Sequence, residues 1–284
     1  MEISVKDLTK KYKDKYALDH VSFSILEPKI YGLLGRNGAG KTTFMEILAG
    51  HILATSGEIT INNENPFDNQ HLIESICLIK EGNNFKRDLS IKNVLCIYSM
   101  FYPTWDPDLA EELVKIYGLD KKAKVKTLSK GMESALGIIV GLSSKAPITI
   151  FDEPYIGLDA AARRRFYEIL LEEYEKEKRI IIFSTHLIDE VSLLFEEILI
   201  IQDGRLILRE EADVLRHSTC AVTGSIQQVE AFSKDKKVLN KKELAGMMTA
   251  FVYCRKEEAV AEGLKAEGIP VQELMIHLTE NKGA

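Results

Sequence analysis

The sequence has few cysteines, no basic block and no long apolar run, and each shortage excludes a class of protein. The four cysteines, Cys77, Cys96, Cys220 and Cys254, are far apart and form no Cys-x-x-Cys pair, so their spacing predicts neither a zinc site nor a disulfide framework. This cysteine usage fits a reducing, cytoplasmic setting. The first residues also lack the basic and apolar regions of a signal peptide, so we do not expect secretion.

Charge and apolar length exclude two further classes. The 37 Lys and Arg residues and the 43 Asp and Glu residues give a net charge of -6, which is unsuited to binding nucleic acid through its phosphates. The most apolar windows, residues 137–151 and 180–195, are interrupted by polar residues and are shorter than the roughly 20 residues of a membrane-spanning helix. A function at a membrane would therefore need another chain to cross the bilayer.

The apolar pattern predicts an α/β fold. Predicted strands lie at residues 3–8, 17–26, 30–34, 148–151 and 180–183, and predicted helices lie at 42–49 and 160–178. Continuous apolar strands that alternate with helices are typical of a parallel sheet covered on both faces. Residues 89–141 are mostly helical, with Ser90 and Asp106 as helix N-caps and Gly118 as a helix stop.

The character of the chain changes after a predicted hairpin turn at residues 202–204. From about Glu211 the pattern predicts a strand at 219–223, a helix at 227–232, strands near Val238 and at 247–254, a helix at 257–267 and a last segment at 271–278. In that last segment Leu274, Met275 and Leu278 form an apolar stripe at helical spacing, which predicts packing. We expect two domains: residues 1–210, and an accessory domain at 211–284 that folds separately and is not needed for chemistry.

Residues 35–42, Gly-Arg-Asn-Gly-Ala-Gly-Lys-Thr, match the phosphate-loop pattern G-x-x-x-x-G-K-[ST]. The motif follows a predicted buried strand and opens a predicted helix, so its backbone N–H groups and the helix N-terminus can surround a phosphate. Lys41 is expected to reach the terminal phosphates, and Thr42 to offer its hydroxyl to Mg²⁺. The alternative, a glycine-rich turn without a ligand, is disfavoured by the complete match in this context.

Asp152 and Glu153 follow the apolar strand at 148–151, at the edge of the sheet where ligands bind in open α/β folds. Asp152 is expected to hold Mg²⁺, directly or through water. Glu153 is then free to orient or deprotonate an attacking water, which phosphoryl transfer requires. Taken alone, two acids at a strand end are more often solvated loop residues, but the phosphate loop favours the catalytic interpretation.

Three further segments make residues 2–210 resemble the nucleotide-binding subunit of an ABC transporter, a P-loop NTPase of the ABC ATPase type. Residues 128–132, Leu-Ser-Lys-Gly-Met, stand at the place of the family signature. Residues 157–159 match the loop after the catalytic glutamate, and residues 184–186 match the switch histidine. The resemblance implies a mixed sheet core with an antiparallel β subdomain and a helical subdomain at about residues 83–141, followed by the small C-terminal α+β domain.

The resemblance also implies a site for ATP and Mg²⁺, with Glu153 and His186 as the catalytic residues. The implied nucleotide-binding residues are Tyr12, Gly35, Asn37, Gly38, Ala39, Gly40, Lys41, Thr42 and Thr43, with Ser129 and Gly131 of the signature. The implied Mg²⁺ ligands are Thr42, Glu81 and Asp152. Tyr12 matches the aromatic residue that stacks on adenine, and Tyr16 is a weaker candidate. Without the other motifs, Tyr12 would be interpreted as a surface tyrosine and His186 as a core histidine.

Three features of the sequence depart from the family pattern. Glu81 stands where the family has glutamine, although a carboxylate can still approach Mg²⁺ or its water. Lys130 and Met132 stand in the signature where the family commonly has glycine and glutamine, and Tyr155 and Ile156 replace small polar residues before the Gly-Leu-Asp sequence. These departures put the rate of turnover in doubt and fit a subunit that works beside a different partner.

The implied function is that of an ATP-hydrolysing subunit of an ABC exporter, resembling bacterial antibiotic and peptide efflux or resistance systems. Its implied partners are an integral membrane permease and a second nucleotide-binding subunit packed head to tail, with no nucleic acid. Its implied place is cytoplasmic, peripheral on the inner face of the cell membrane. The alternatives are a weakly hydrolysing regulatory subunit in a heterodimer, and a non-transport ABC ATPase that acts on ribosomes or DNA.

Two contacts with partners are also expected. Residues 82–88 should dock the membrane partner, with Phe85 as the apolar contact and Arg87 as the polar one, and an exposed loop is the alternative. Lys130 should meet the γ-phosphate held by the second subunit, because a cation in the first turn of a helix opposes the helix dipole unless an anion is near. In the alternative, its long side chain simply extends into water.

Overall fold

The computed structural model describes residues 1–279. Its strands are β1 (Ile3–Tyr12), β2 (Lys15–Ile25), β3 (Ile30–Leu34), β4 (Ser56–Ile61), β5 (Ile76–Ile79), β6 (Ile148–Asp152), β7 (Ile180–Ser184), β8 (Glu197–Gln202), β9 (Arg205–Glu211), β10 (Thr219–Ser225), β11 (Val238–Leu244), β12 (Met247–Tyr253) and β13 (Lys265–Gly268). Its α-helices are α1 (Lys41–Leu48), α2 (Gln70–Ile73), α3 (Ile91–Phe101), α4 (Pro107–Ile116), α5 (Lys130–Ser143), α6 (Ala160–Lys176), α7 (Ile188–Val191), α8 (Ala212–Ser218), α9 (Ile226–Ser233), α10 (Lys256–Ala261) and α11 (Val271–Thr279).

The central sheet has six strands in the order β5-β6-β7-β3-β8-β9. The first five are parallel, and β9 runs antiparallel to β8. β3, β6 and β7 are buried along their whole length, which explains their continuous apolar sequences, because a strand covered on both faces has no solvent-facing side chains. The prediction of an α/β fold with a mixed sheet is confirmed. The carboxyl ends of β3 and β6 lie at the same edge of the sheet.

A second, antiparallel sheet has the order β2-β1-β4 and shares an apolar core with the central sheet. α1 contributes Phe44 to this core, and its ring centroid lies 5.4 Å from that of Phe23 on β2. The chain between β1 and β2 turns at the end of β1, which is Tyr12. This sheet therefore places a tyrosine beside the N-terminus of α1.

The middle of the chain is helical, as predicted. The side chain of Ser90 accepts a hydrogen bond from the Asn93 N–H at the start of α3, and that of Asp106 accepts one from the Leu109 N–H at the start of α4. α5 begins after Ser129, is buried from its second turn onward and packs beside β5 and β6. Among residues 1–279, no helix combines the length and apolar composition that crossing a membrane requires.

The C-terminal part forms a four-stranded antiparallel sheet in the order β11-β12-β10-β13. Its chain order, β10-α9-β11-β12-α10-β13, is the split βαβ arrangement of ferredoxin-like domains. The predicted helix at 257–267 is wrong in its second half, because α10 ends at Ala261 and residues 265–268 pair with β10 as an edge strand. Gly263, with a φ of +76°, lies between the two elements and lets the chain turn back.

The structure joins Cys220 and Cys254 in a disulfide, with their Cα atoms 6.0 Å apart. The spacing of the cysteines did not indicate this disulfide. They are 34 residues apart in sequence and meet only because β10 pairs with β12, with Cys220 opposite Val252. No local spacing could have shown that contact.

The apolar stripe of α11 packs as predicted. Leu274 is 1% exposed and belongs to the main core, while Met275 and Leu278 pack against that core. α11 contacts α7, which lies shortly after His186. The last described helix thus shares a core with elements of residues 1–210, and the division of the chain into two domains stays a prediction. Residues 280–284 of the predicted second domain lie outside the described residues.

Candidate functional site

The phosphate loop, residues 35–40, connects β3 to α1 as the sequence predicts. Gly40 precedes α1 with a φ of +113°, and a Cβ atom there would lie 2.2 Å from the carbonyl oxygen of Ala17 on β2. Only glycine fits this position, because both the backbone conformation and the approach of β2 exclude a side chain. The loop is thereby held between the antiparallel sheet and the N-terminus of α1, where an anion is favoured.

Lys41 is buried and lies across this loop. Its Nζ donates hydrogen bonds to the carbonyl oxygens of Gly35 at 2.7 Å and Arg36 at 3.3 Å. Burial lowers the pKa of the Lys41 ammonium, and the nearby carboxylates of Glu153 and Asp152 oppose that shift. The site therefore holds a cation between the phosphate loop and two acids.

Thr42 and Asp152 connect α1 to the end of β6. The Thr42 hydroxyl donates to Oδ2 of Asp152 at 2.6 Å, and Asp152 is only 6% exposed. A hydroxyl and a carboxylate are the hard oxygen ligands that Mg²⁺ takes in nucleotide sites, so this pair fits the ion. Glu81, the third predicted ligand, lies at the same cavity, but its Oε1 is 3.6 Å from Nζ of Lys130 in the same chain.

These groups surround one cavity of about 440 Å³. It is lined by Tyr12, Lys15, Ala17, Asn37, Gly38, Gly40, Lys41, Thr42, Thr43, Glu81, Asp152 and Glu153. The structure thus brings most of the predicted site residues together. Gly35 instead accepts a hydrogen bond from Lys41 through its carbonyl oxygen, and Ala39, within the loop, is buried. Sequence reasoning missed Lys15, whose only signal is a basic residue near Tyr12.

Tyr12 is 49% exposed at the rim of the cavity, with Nζ of Lys10 5.1 Å from its ring centroid. An exposed aromatic ring at the mouth of a phosphate-binding cavity can stack on a base. Tyr16 does not line the cavity, and Nζ of Lys11 lies 5.0 Å from its ring centroid. The geometry therefore favours Tyr12 over Tyr16.

Glu153 follows β6 and points one carboxylate oxygen at two neighbours. Its Oε2 lies 2.6 Å from Nδ1 of His186 and 2.5 Å from the hydroxyl of Tyr155. The backbone φ of Glu153 is +52°, and its N–H donates to the carbonyl oxygen of Ser184 at 3.2 Å. The two predicted catalytic residues are thus in direct contact, although His186 does not line the cavity. The sequence singled out Tyr155 only as a departure from the family.

The signature residues lie apart from this cavity. Ser129 caps α5, its side chain accepting a hydrogen bond from the Met132 N–H at 3.2 Å. A Cβ atom on Gly131 would lie 2.4 Å from the carbonyl oxygen of Gly157, so the signature packs directly on the loop after Glu153. Neither Ser129 nor Gly131 lines the cavity of its own chain.

Lys130 does not extend freely into water, so the simpler of the two alternatives for this residue is wrong. Its Nζ donates to the backbone carbonyl oxygen of Glu81 at 2.8 Å, in addition to the contact with the Glu81 carboxylate. Two of the three departures from the family pattern are therefore partners of one another. This contact links the signature to the segment after β5.

Phe85, the predicted apolar contact with the membrane partner, is buried in the wall of a groove, and its contact with a partner stays a prediction. Phe85 is 8% exposed, and its ring packs edge-on against Tyr98 at a centroid distance of 5.6 Å. It forms part of the wall of a groove of about 570 Å³ that is also lined by Leu78, Leu89, Ile97, Tyr98 and Phe101. Arg87 does not line this groove, whereas Lys86 does.

Comparison with known proteins agrees with this site. A family model described as ABC transporter matches residues 18–156. The bacitracin transport ATP-binding protein BcrA of Bacillus licheniformis is 35% identical over 209 residues, covering 72% of this chain and 68% of that protein. The Nod factor export ATP-binding protein I of Burkholderia orbicola is 31% identical over 211 residues, covering 72% of this chain and 69% of that protein.

Solved structures show the same fold. A structure of an ATP binding subunit of an ABC transporter superposes with a TM-score of 0.68 and 26% identity, covering 76% of this chain and 92% of that one. The dimeric cassette MJ0796, bound to ADP and Pi after hydrolysis, superposes with a TM-score of 0.66 and 24% identity, covering 74% of this chain and 98% of that one. The phosphate loop, the acidic strand end and these likenesses agree, and the chain belongs to the ATP-binding subunits of ABC transporters, which carry the ABC ATPase domain.

Proposed function

We propose that the chain binds ATP with Mg²⁺ in the cavity at the carboxyl edge of the central sheet and hydrolyses it to power export through a separate membrane subunit. The observation that carries this proposal is the convergence on one cavity of Lys41, the Thr42–Asp152 pair and Glu153. These are a phosphate-binding cation, two oxygen ligands for a metal and a carboxylate that can take a proton from water.

Each group has a distinct task in this proposal. The phosphate loop and Lys41 hold the β- and γ-phosphates, and Tyr12 stacks on the adenine. Mg²⁺, when bound by Thr42 and Asp152, neutralises phosphate charge. Glu153 orients the attacking water and accepts its proton, while His186 holds Oε2 of Glu153 through Nδ1. Catalysis of this kind depends mainly on positioning and electrostatic stabilisation, which a preorganised site supplies.

A second nucleotide-binding subunit completes the proposed site. Ser129 and Gly131 lie at the N-terminus of α5, an anion-binding position that its own cavity does not use. We propose that a head-to-tail arrangement, with a second copy or a different chain, brings this N-terminus to the ATP of the other subunit. The dimeric structures of MJ0796 support the arrangement by analogy.

The groove beside Phe85 supports a membrane partner. Its lining combines apolar side chains with Lys80 and Lys86, so it suits a short amphipathic helix from a permease. We propose a cytoplasmic chain that is peripheral on the inner face of the membrane. We propose as cargo a small molecule or peptide, with antimicrobial compounds as one class to test, by analogy with the names of BcrA and the Nod factor export protein.

A second candidate is a weakly hydrolysing regulatory subunit in a heterodimer. The contact between Lys130 and Glu81 favours it, because this contact occupies a residue of the signature and a predicted Mg²⁺ ligand in the same chain. Comparing the ATPase rates of the chain alone and with its membrane fraction separates the two candidates. Strong stimulation by the membrane fraction supports the exporter, whereas an unchanged low rate supports the regulatory subunit.

ATP binding itself is tested with Lys41→Ala in the full chain. The variant should lose binding of a fluorescent ATP analogue with Mg²⁺, because the phosphates lose the cation that lies across the loop. Lys92→Ala, an exposed lysine on α3, is the matched control and should bind as the parent does. Tight binding retained by Lys41→Ala would count against the phosphate loop as the site.

A further inference from the structure

The hydroxyl of Tyr155 lies where two segments of the candidate site meet. It is 2.5 Å from Oε2 of Glu153, 2.5 Å from Oγ1 of Thr185 and 3.2 Å from the backbone nitrogen of His186. These partners belong to the segment after β6 and the segment after β7. One side chain thus links the proposed base to the backbone of the proposed switch residue.

The direction of these hydrogen bonds follows from which groups can donate. The backbone N–H of Leu187 donates to Oγ1 of Thr185 at 2.9 Å, so the Thr185 hydroxyl is free to donate its own proton to Tyr155. The His186 N–H also donates to the Tyr155 oxygen. With both lone pairs of the phenol used, its proton points to the carboxylate of Glu153. The network therefore ends on the proposed catalytic residue.

The Tyr155 side chain has little freedom to move. It is 2% exposed, and its ring stacks on Phe183 of β7 with an interplanar angle of 14°. Burial, and then the hydrogen bond to Glu153, raise the pKa of the Tyr155 phenol, so it remains a neutral donor at physiological pH. A neutral donor that is held in place by packing can fix the orientation of a carboxylate, and it adds no second charge beside that carboxylate.

The two oxygens of Glu153 differ in consequence. Oε2 accepts a hydrogen bond from the Tyr155 hydroxyl and is also paired with Nδ1 of His186. Oε1 takes part in none of the hydrogen bonds formed within residues 1–279. Glu153 also lines the nucleotide cavity. Fixing Oε2 from behind leaves the other oxygen available to a water in the cavity.

We propose that Tyr155 is a positioning residue for ATP hydrolysis, which holds Oε2 of Glu153 and the backbone of His186 in one arrangement. The inference rests on the proposed role of Glu153. A small side chain at position 155, as in the family pattern, cannot span from the loop to both groups.

The test compares Tyr155→Phe with Tyr167→Phe in the full chain. Both changes remove a buried phenolic hydroxyl and keep the ring. The centroid of each ring lies 6.3 Å from the ring centroid of Phe183. The Tyr167 hydroxyl is buried without a hydrogen-bond partner among the described residues, so its loss breaks none of those contacts. Tyr167→Phe therefore controls for removing a hydroxyl from the same aromatic cluster.

Steady-state hydrolysis gives the first readout. Tyr155→Phe should lower kcat by about tenfold or more, corresponding to ~1.4 kcal/mol of barrier, while KM for ATP stays within about twofold. Tyr167→Phe should keep both constants within about twofold of the parent values. Adding Tyr155→Phe to Glu153→Gln should cause no further loss, because a residue that acts through Glu153 has no effect once that base is gone.

Hydrogen exchange without nucleotide gives a second readout. Tyr155→Phe removes the acceptor of the His186 N–H, so that amide should exchange faster, whereas Tyr167→Phe should leave its rate unchanged. A kcat for Tyr155→Phe within about twofold of the parent, or an unchanged exchange rate, would overturn the proposal. If Glu153→Gln itself hydrolyses ATP normally, the proposed function fails; if only Tyr155→Phe is without effect, the role of Tyr155 fails.

Discussion

At the scale of single residues, the charged groups of the nucleotide cavity differ in how firmly they are held. Lys41 and Asp152 are buried, and each has a hydrogen-bond partner inside the chain, without which a buried charge would be costly. Lys130 and Glu81 are about half exposed, so their ion pair contributes at most about 1 kcal/mol. The buried contacts form a fixed frame, and the exposed one can be exchanged for another partner.

The exposed pair gives a prediction about closure with the second subunit. Glu81→Gln removes the ion pair but keeps the backbone carbonyl contact, so Lys130 should move more readily to the γ-phosphate held by the other subunit. ATP-dependent dimerisation in a Glu153→Gln background should then become up to about fivefold tighter at low salt. Lys130→Ala should weaken it. Analytical ultracentrifugation at low and high salt measures both. Equal dimer affinity and equal salt dependence in all three proteins would show that Lys130 takes no part in closure.

At the scale of secondary-structure elements, α6 is tied to the end of α5 by a buried ion pair. The Glu173 carboxylate of α6 is 4% exposed and accepts hydrogen bonds from Nζ of Lys145, which follows α5, and from Nζ of Lys176 at 2.6 Å. Burial by itself would raise the pKa of the Glu173 carboxyl, but these two ammonium groups hold it below its usual value. The folded protein therefore favours the charged form.

Replacing this carboxylate should destabilise the fold in a pH-dependent way. At neutral pH, Glu173→Gln should lower the free energy of unfolding by about 3 kcal/mol, because Lys145 is left as a mostly buried charge without its partner. Because the folded-state pKa of Glu173 lies below the unfolded one, its stabilisation is present above the unfolded pKa and is lost as the pH falls through the folded pKa. The difference between parent and variant should therefore shrink below about pH 4.5.

Urea unfolding at several pH values measures this difference. Glu172→Gln changes the neighbouring exposed glutamate and is the matched control, for which we expect almost no effect. A destabilisation by Glu173→Gln that stayed constant into the acidic range would contradict the assignment to its charge.

At this scale, the features that the sequence predicted differ from those that it did not predict in whether they depend on local patterns. The phosphate loop, Asp152 and Glu153 are local motifs, so the sequence predicted the cavity and the strands that carry it. Features that depend on contacts between distant segments were missed: Phe85 packs inward onto Tyr98, and Cys220 meets Cys254 across paired strands. The same reason explains why Tyr155 was seen only as an unusual residue, since its partners follow a different strand.

At the scale of the whole molecule, the last described helix contacts an element that lies next to the candidate site. α11 packs on α7, and Leu274 lies in the same core as Ile188 and Val191 of that helix. α7 begins two residues after His186. We therefore expect this part of the chain to support the segment around His186, although none of its residues between 211 and 279 lines the cavity.

Shortening one side chain in this contact tests whether α11 stabilises α7 without taking part in ATP binding. Leu274→Ala should lower the free energy of unfolding by about 2–5 kcal/mol and speed hydrogen exchange in residues 188–195, while ATP binding is retained. Ile276→Ala, on the same helix but 40% exposed, should change neither. Unchanged exchange in Leu274→Ala would mean that α11 does not stabilise α7, and loss of ATP binding by a folded Leu274→Ala would give the domain a direct part in the site.

The most direct test of a hydrolytic site built around Glu153 is the turnover of Glu153→Gln measured together with its affinity for ATP. The change keeps the shape of the side chain and removes the base, so ATP should bind with a Kd within about twofold of the parent while hydrolysis falls by about 100-fold or more. The ATP-bound dimer should also live longer. Hydrolysis within about threefold of the parent, which corresponds to well under 1 kcal/mol of barrier, would contradict the assignment of Glu153 as the catalytic base.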